Sequence, residues 1–524
     1  MRIGIDVGGT NTDAVLMDGR NVLASAKRPT TDPVELGIVE ALRAVTTDGV
    51  PLSAIRAVMI GTTHFTNAFV EARGLMPVGV IRLASPSGEA LPPFTGWPKL
   101  LRQATDGGSF LLPGGYEFDG RIIAPFDEVA VRKAARKLRA DGVDGVAITS
   151  VFAPIKGEME ERAAAIVREE HPEARITLSC SIGRIGFLER ENATIMNAAL
   201  GVMADSVMQS FRDALSKLQI NAPLFVSQND GTLMTSDYAQ MLPVLTFGSG
   251  PTNSIRGAAF LSGAQDAIII DVGGTTSDIG VLVNGFPRES SIAVNIGGVR
   301  TNFRMPDILA IGLGGGTRVH LDPTLYGADH IDEAALSLGP ESVGYRLLSE
   351  GCLFGGETLT MSDVAVATGR VSFGDPDAIP DLGPHVLEAI NGRARRILED
   401  GIDRMKTSAG DVPVIVVGGG AFLVTDALRG ASSVSRPDQG AVANAIGAAI
   451  GQVSGEADRV FSYARVGRSR ALDEIRASVT ARAIAAGAGP ETVEVVDVEE
   501  VALNYLPGEA FRVRARAVGD LTFS

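Results

Sequence analysis

The chain has 524 residues, which predicts more than one domain, and its 45% hydrophobic and 21% charged residues are typical of soluble globular proteins. A formal net charge of −15, without any basic run, argues against a nucleic-acid partner. The chain begins with a strand pattern rather than a signal peptide, and its apolar stretches end well before the roughly 18 residues of a membrane span. We therefore expect a cytoplasmic protein with no membrane partner.

The first stretch of the chain predicts strands over residues 2–5, 12–17 and 22–27, with two acidic residues at the first turn. Asp6 ends the first strand, and Asp13 lies on the far side of the turn. The residues between them include Gly8, Gly9, Thr10, Asn11 and Thr12. Open backbone N–H groups and threonine hydroxyls suit phosphate oxygens, and a carboxylate beside them suits hydrated Mg²⁺.

Between residues 32 and 261 the pattern alternates between helices and strands. The predicted elements are a helix opened by Asp32 and Pro33, a strand at 57–60 leading into a second helix, an irregular excursion over 85–125, a helix at 127–140, a strand at 143–150, a helix at 157–170, a strand at 176–179, a helix at 188–218, a strand at 224–227 and a helix ending at 261. We interpret the long helix at 188–218 as the crossing between two lobes.

A second hairpin repeats the first one. Asp271 ends an apolar run, and Asp278 opens the returning strand, so that Asp-Val-Gly-Gly-Thr-x-x-Asp occurs twice in the chain. Its turn contains Gly273, Gly274, Thr275 and Thr276. Either hairpin alone fits an ordinary β-turn as well. The repeat favours two like lobes with a nucleotide held between them.

Two further glycine loops follow, and the second comes directly after a buried strand at 414–417. The loops contain Gly314, Gly315 and Gly316, and then Gly418, Gly419 and Gly420. Only glycine lets a backbone approach a base and ribose closely, so the second loop predicts a seat for adenosine. Helices at 384–408 and 438–451 surround it, and a small α/β tail with a helix at 470–486 and strands at 492–498 and 511–517 begins near residue 456.

In this order, the two hairpins and the adenosine loop resemble the phosphate-1, phosphate-2 and adenosine motifs of the actin, sugar-kinase and Hsp70 ATPase superfamily, over residues 1–451. The resemblance implies an α/β fold in which two ribonuclease-H-like lobes face a nucleotide cleft, with a small C-terminal α/β tail. We expect the N-terminal lobe at 1–184, the second lobe at 185–455 and the tail at 456–524.

Several stretches resemble one branch of that superfamily, the hydantoinase/oxoprolinase family. They are Gly61-Thr-Thr-x-x-Thr-Asn67-Ala68, Leu188-Glu-Arg190-Glu-Asn192, Phe247-Gly-Ser-Gly-Pro251, Gly312-x-Gly-Gly-Gly316 and Leu359-Thr-x-x-Asp363. The resemblance implies that ATP and Mg²⁺ activate the carbonyl of a lactam, hydantoin or other amide by phosphoryl transfer. A partner subunit similar to hydantoinase B then completes ring or amide opening. The chain departs from the family pattern at Asn11, at His64-Phe65 and at Thr252-Asn253.

Within this scheme the four repeated aspartates are the candidate catalytic residues. Asp6 and Asp271 would hold Mg²⁺ through water, although an aspartate at a strand end also caps turns. Asp13 and Asp278 would accept turn hydrogen bonds, or one of them would orient the attacking oxygen or accept a proton. The threonines are hydroxyl donors for phosphate, and they also suit strands by propensity.

Two alternatives remain open: a nucleotide-gated activator of a partner enzyme and a small-molecule kinase. Cys180 and Cys352 are not arranged as the cysteine pairs of an iron–sulfur activator, and we expect both to be small buried residues. Residues 240–270 contain no Gly-x-Asp motif of the sugar kinases, and no P-loop sequence occurs. Arg190 and Glu191 predict a structural ion pair.

Overall fold

The computed structural model describes residues 1–9, 11–31, 34–47, 49–182, 185–290, 293–302, 304–331, 335–504 and 509–522. In chain order the strands are β1 (Arg2–Val7), β2 (Asn11–Asp18), β3 (Asn21–Pro29), β4 (Ala57–Thr62), β5 (Val78–Ser85), β6 (Asp106–Pro113), β7 (Gly145–Ser150), β8 (Arg175–Leu178), β9 (Leu224–Ser227), β10 (Thr232–Thr235), β11 (Ala267–Val272), β12 (Ser277–Val283), β13 (Phe286–Pro287), β14 (Val294–Ile296), β15 (Val299–Thr301), β16 (Ile308–Ile311), β17 (Thr317–His320), β18 (Ser337–Ser342), β19 (Val412–Val417), β20 (Ala431–Ser435), β21 (Gln452–Ser462), β22 (Glu494–Ala502) and β23 (Ala510–Gly519).

The α-helices of the described residues lie between these strands. In chain order they are α1 (Val34–Val45), α2 (His64–Val70), α3 (Lys99–Thr105), α4 (Glu128–Ala140), α5 (Glu158–Glu170), α6 (Phe187–Ala199), α7 (Gly201–Lys217), α8 (Ser236–Met241), α9 (Ser249–Ser262), α10 (Leu347–Glu350), α11 (Met361–Ala367), α12 (Pro384–Met405), α13 (Ala443–Ala449), α14 (Tyr463–Val466) and α15 (Arg468–Ala485). The mixed α/β composition agrees with the predicted class.

The chain forms two compact units, each assembled from separate segments. Unit 1 contains Met1–Gly61, Ser249–Ser290 and Pro306–Ile450, and unit 2 contains Thr62–Gly248, Ser291–Met305 and Gly451–Ser524. Both repeated hairpins belong to unit 1. The lobe boundaries expected at 184 and 455 stay a prediction.

Unit 1 contains two sheets that carry the repeated hairpins. One sheet has the order β4-β1-β2-β3, and the other has the order β13-β12-β11-β19-β20, with β16 paired to β12. In the second sheet β11 pairs antiparallel with β12 and parallel with β19, so the glycine loop after β19 leaves the sheet beside the end of β11. Isoleucines and valines of β11 and β19 are buried, which explains why these segments form central strands.

Helix α13 packs closely against β1 and α9 because glycines remove side chains from the contact. A Cβ at Gly4 of β1 would lie 2.1 Å from the carbonyl oxygen of Ala445, and a Cβ at Gly257 of α9 would lie 1.9 Å from that of Ala443. Any larger residue at either position would push the helix away. These glycines therefore decide where α13 sits in unit 1.

Unit 2 contains the sheet segment β22-β23-β21-β10-β9 and the parallel sheet β6-β5-β7-β8. The predicted tail is present as α15, β22 and β23, and β21 joins it to the rest of the unit by pairing with both β10 and β23.

Helix α4 of unit 2 shows how the sequence directs the formation of an element. Asp127 caps its N-terminus by accepting from the Ala130 N–H at 2.9 Å, and its apolar stripe is buried.

Some details of the sequence interpretation were wrong. The segment 85–125 is not irregular throughout, because it contains α3 and β6, and β6 pairs in parallel with β5. Its glycines and prolines obscured the strand pattern. The long helix predicted at 188–218 is two helices, α6 and α7, with Leu200 between them, and both lie in unit 2. Cys352 is buried as expected, but Cys180 is only half-buried.

Arg190 and Glu191 do serve in buried ion networks, although each has its own partner. Arg82 forms a two-point pair with Glu191, and its Nε lies 2.8 Å from Oε2. Arg190 donates to Ser179 Oγ over 3.0 Å, and Ser179 in turn donates to Glu160 over 2.6 Å. These contacts fix α6 within unit 2.

Among the described residues, no helix is long and apolar enough to cross a membrane.

Candidate functional site

In the described residues, the two aspartate–glycine hairpins share the same strand register and a matching hydrogen bond across the turn. Asp6 pairs across the strands with Asp13, and Asp271 pairs in the same way with Asp278. Each turn is closed by one hydrogen bond, from the Gly8 N–H to the Asn11 oxygen at 3.0 Å and from the Gly273 N–H to the Thr276 oxygen at 2.9 Å. The sequence repeat is thus a structural repeat, in which each turn has a carboxylate on both strands at its base.

A cavity of about 180 Å³ in unit 1 brings residues of both hairpins together; we call it the hairpin cavity. The predicted site residues that line it are Asp6, Gly8, Asn11, Asp13, Asp271, Gly273, Gly418 and Gly419. The lining residues that the sequence interpretation missed are Lys27, Ser254, Gly440, Ala441, Ala443 and Asn444. Both hairpins, the adenosine loop and residues of β3, α9 and the start of α13 therefore converge on one small polar space.

Asn444 of α13 is the most informative of the missed residues. Its Nδ2 donates to Asp6 Oδ2 over 2.9 Å and to Asp13 Oδ2 over 3.1 Å. One amide thus holds two buried carboxylates that would otherwise repel each other. The only signal in the sequence is a polar residue within the small-residue run that forms α13.

Lys27 and Ser254 complete the polar lining. Lys27 of β3 donates from Nζ to Asp13 Oδ2 over 2.6 Å, which neutralises that carboxylate. Ser254 of α9 hydrogen bonds the side chain of Asp271. Asp13 therefore accepts bonds from Lys27 and Asn444 and is held in place.

Three carboxylates of the two hairpins, those of Asp6, Asp271 and Asp278, have a raised pKa. Burial, followed by the charges of Asp13 and Asp271, raises the pKa of Asp6 to about 7, against the opposing effects of Asn444 and Lys27. Burial likewise raises the pKa of Asp271. Burial together with the charge of Asp271 raises the pKa of Asp278 to about 7. Such grouped acids are what a divalent cation would stabilise in ionised form.

The residues present fit a hydrated Mg²⁺. Asp6 Oδ1 is buried and has no hydrogen-bond partner among the described residues, which leaves an acceptor available to a metal-bound water. In the described part of the chain, no group of three or more His, Cys, Asp or Glu side chains forms a metal cage. Mg²⁺ keeps several waters and is usually held by one or two carboxylates together with substrate phosphates, so Asp6 and Asp271 are the residues that would hold it.

The three glycines of the adenosine loop, Gly418, Gly419 and Gly420, differ in how much space the structure leaves for a side chain. Gly418 has φ +89°, and a Cβ there would lie 2.3 Å from Asp271 Oδ1, so this position needs glycine. At Gly419 a Cβ would meet open space, although the residue lines the hairpin cavity. Gly420 donates its N–H to the Val272 oxygen over 2.8 Å, which ties the loop to the end of β11.

The loop of Gly314, Gly315 and Gly316 does not line the hairpin cavity. Its N–H groups donate to Thr317 Oγ1 over 2.7 Å, to the Gly273 oxygen over 3.0 Å and to the Gly274 oxygen over 2.7 Å. These hydrogen bonds brace the second turn, and the contact of this loop with nucleotide stays a prediction.

The remaining turn residues occupy three kinds of place. Thr12 is buried on the other face of β2, where its hydroxyl lies 3.2 Å from Thr30 Oγ1, so it does not point toward the cavity. Asp278 is half-buried and does not line the cavity. The exposed turn residues are Gly9, Gly274, Thr275 and Thr276, and Thr10 lies outside the described residues.

Asp363, from the last of the family-like motifs, has a structural role in unit 1. It forms a capping box with Thr360 at the start of α11. Its other oxygen accepts the Leu353 N–H over 2.6 Å. The motif thus stabilises a helix terminus.

Comparison with known proteins finds one family along most of the chain. Residues 2–171 match the hydantoinase/oxoprolinase N-terminal region, and residues 190–381 match the hydantoinase/oxoprolinase region. Caprolactamase subunit alpha of Pseudomonas jessenii is 26% identical over 403 residues, which cover 71% of this chain and 55% of that protein. The chain spans about half the length of the curated relatives it matches.

Two solved structures share the fold. The ATP-dependent caprolactamase from Pseudomonas jessenii superposes with a TM-score of 0.74 at 21% identity, and nucleotide-free acetone carboxylase superposes with a TM-score of 0.71 at 18% identity. In both cases the match covers 100% of this chain and 88% of the other. The predicted fold class is confirmed by this likeness.

Proposed function

Because the chain belongs to the hydantoinase/oxoprolinase family, we propose that it is the ATP-using part of an enzyme that opens cyclic amides. In this proposal it binds Mg²⁺-ATP and transfers the γ-phosphoryl group to the carbonyl oxygen of a lactam or hydantoin. The bond between the γ-phosphorus and its bridging oxygen breaks, a bond from phosphorus to the carbonyl oxygen forms, and ADP is released. Water added at the activated carbon then opens the ring and releases phosphate.

The observation that carries the proposal is the convergence of both acidic hairpins and the adenosine loop on the hairpin cavity. Phosphoryl transfer depends mainly on positioning and on neutralising charge, and this cavity offers groups for both. Asp6 and Asp271 would hold Mg²⁺ through water, and the ion would neutralise the β- and γ-phosphates. Gly418 and Gly419 would let the backbone approach the nucleoside.

The other polar residues of the cavity would position these groups. Lys27 and Asn444 hold Asp13, so Asp13 keeps the first hairpin in shape. Asn444 also orients Asp6, since one amide contacts both carboxylates. Ser254 would orient Asp271 in the same way, because it hydrogen bonds the Asp271 side chain. The exposed turn residues Gly9 and Gly274 would face the phosphates.

We further propose that a partner subunit completes the reaction. The described residues contain no group of three or more metal-ligating side chains, and the sequence offers no nucleophile beside a histidine. A related protein is itself named as a subunit of a caprolactamase. An activated amide is best kept from bulk water until its acceptor arrives, which favours a bound partner.

The test is phosphate release by the purified chain with Mg²⁺-ATP, alone and with a panel of lactams and hydantoins. The proposal expects at least one cyclic amide to accelerate release, and ring opening to need co-purifying protein. Asp271→Asn should remove the stimulated rate, whereas Asp375→Asn, an exposed aspartate of the same unit, should keep it. If acetone with bicarbonate stimulates release and no amide does, the substrate assignment is wrong and the carboxylation of a ketone replaces it.

A further inference from the structure

Unit 2 contains a larger cavity of about 600 Å³, which we call the arginine cavity. Its walls come from the turn after β9, from β10, from β21, from the C-terminal part of α15, and from Arg304 and Arg514. Its volume falls in the range of small-molecule sites, roughly 300–1,000 Å³. It shares no lining residue with the hairpin cavity, and the function proposed above makes no use of it.

The lining of this cavity is strongly charged. Four arginines and three carboxylates contribute to it. The side chains of Arg304 and Arg514 are only 9% and 10% exposed. Bringing such charges out of water costs several kcal/mol each unless partners compensate them, so the arrangement of charges around the cavity has to be considered together with those partners.

The carboxylates of the lining are compensated by arginines. Arg304 lies 2.5 Å from Glu456, Arg516 lies 3.4 Å from Asp230, and the side chain of Asp458 accepts from Arg512 over 2.9 Å. Arg512 and Arg516 do not line the cavity but add their charge from behind it.

Two lining arginines also have carboxylate partners outside the lining, Arg459 with Glu474 at 3.0 Å and Arg514 with Glu499 at 3.7 Å. Six arginines thus meet five carboxylates around the cavity, so the local charge is slightly positive in a chain whose net charge is −15. The behaviour of Asp230 agrees with this. Burial raises its pKa, but the charges of Arg516 and Arg304 and the hydrogen bonds of Thr232 lower the pKa below its ordinary value. An anionic group entering the cavity would experience the same field.

Part of the lining of the arginine cavity is apolar. Leu233 and Met234 of β10 line it, and Ala485 and Ala486 at the end of α15 do so as well. Arginine side chains recognise carboxylates through two parallel hydrogen bonds, and the apolar part suits a hydrocarbon body. We propose that the arginine cavity is a binding site for a small organic carboxylate with an apolar body.

The probe for this proposal is hexanoate, titrated into the full-length chain by calorimetry without nucleotide. Hexylamine, hexanamide and inorganic phosphate are titrated in parallel to separate charge from apolar contact. We expect saturable binding of hexanoate and much weaker binding of the other three. Binding of phosphate as strong as that of hexanoate would overturn the proposal, because the apolar body would then contribute nothing.

Two variants on the accessible side of the cavity test its location. Arg482→Gln removes a cavity arginine, and Ala485→Phe fills the apolar part without changing charge. Each should weaken hexanoate binding about tenfold or more, which corresponds to roughly 1.4 kcal/mol. The matched controls on the same helix, Arg468→Gln and Ala481→Phe, lie outside the lining and should bind as the wild type does.

The outcomes also separate this inference from the proposed nucleotide function. Asp271→Asn alters the hairpin cavity only, so it should leave hexanoate binding intact even if it removes all ATP hydrolysis. No hexanoate binding at millimolar concentration, or binding that both cavity variants leave unchanged, would refute the carboxylate site whatever the chain does with ATP.

Discussion

Replacing Asn444 by alanine removes the amide that joins the carboxylates of the first hairpin. The amide donates to Asp6 over 2.9 Å and to Asp13 over 3.1 Å, and both acceptors are buried. A hydrogen bond to a charged group contributes about 1.5–3 kcal/mol. Alanine keeps α13 helical, because it is the best helix former and the helix is already rich in alanine.

The main consequence should be a higher pKa of Asp6, whose pKa burial and the charges of Asp13 and Asp271 already raise to about 7. Since one pKa unit corresponds to about 1.4 kcal/mol, losing one such bond should raise it by about one unit. At pH 7 the ionised fraction would fall from about one half to about one tenth. A cation that binds ionised Asp6 should then bind the Asn444→Ala variant about fivefold more weakly than the wild type at pH 7. At pH 9 it should bind the two proteins almost equally well.

Two measurements check this expectation. The first is the Mg²⁺ concentration that gives half-maximal ATP hydrolysis, determined at pH 7 and at pH 9. The second is Mn²⁺ binding followed by electron paramagnetic resonance, which needs no turnover. The two should show the same pH-dependent loss if Asn444 acts through the ionisation of Asp6.

Asn391→Ala is a matched control, because Asn391 lies on α12 of the same unit and donates only within its own helix, to the Leu387 oxygen over 2.9 Å. It should leave metal binding unchanged at both pH values. An equal loss for Asn444→Ala at pH 7 and pH 9 would mean that the amide shapes the site without tuning ionisation. No loss at either pH would refute its positioning role.

Three further predictions concern the two cavities. Asp6→Ala should lower Mg²⁺-ATP hydrolysis by orders of magnitude while the circular dichroism spectrum stays that of the wild type, since the lost group would position the metal; a near-normal rate in a folded variant would contradict this. Gly418→Ala should lower the melting temperature, because Gly418 has a positive φ and the added Cβ would lie 2.3 Å from Asp271 Oδ1. Gly419→Val should keep the wild-type melting temperature and weaken only the binding of ATP, measured by calorimetry. Burial and the charge of Glu160 raise the pKa of Cys180 to about 12, so at pH 8 only about one thiol in ten thousand is ionised. Labelling of Cys180 with a disulfide reagent should therefore be far slower in the native chain than in urea. Equal labelling rates would show that the thiol is not shielded.

The chain's local patterns determined most of its elements and both acidic turns. The hairpins were predictable because Asp6 and Asp13, like Asp271 and Asp278, lie seven positions apart, and the turn residues themselves fix the pairing. The strand before Gly418 was predictable for the same reason, since a buried apolar run ending in glycine is a local signal. The break at Leu200 was not, because both halves of the segment are good helix formers.

Only the tertiary structure decided which groups surround the hairpin cavity. Asn444 contacts Asp6 across 438 positions of sequence, and that contact exists because Gly4 and Gly257 let α13 approach β1 and α9. The tertiary structure also decided the partners of the Gly314 loop, since the N–H groups of Gly315 and Gly316 donate to the Gly273 and Gly274 oxygens of the second turn. A sequence pattern specifies which backbone donors are open in isolation, but a donor's partner depends on what packs against it, and that is settled only when distant segments meet.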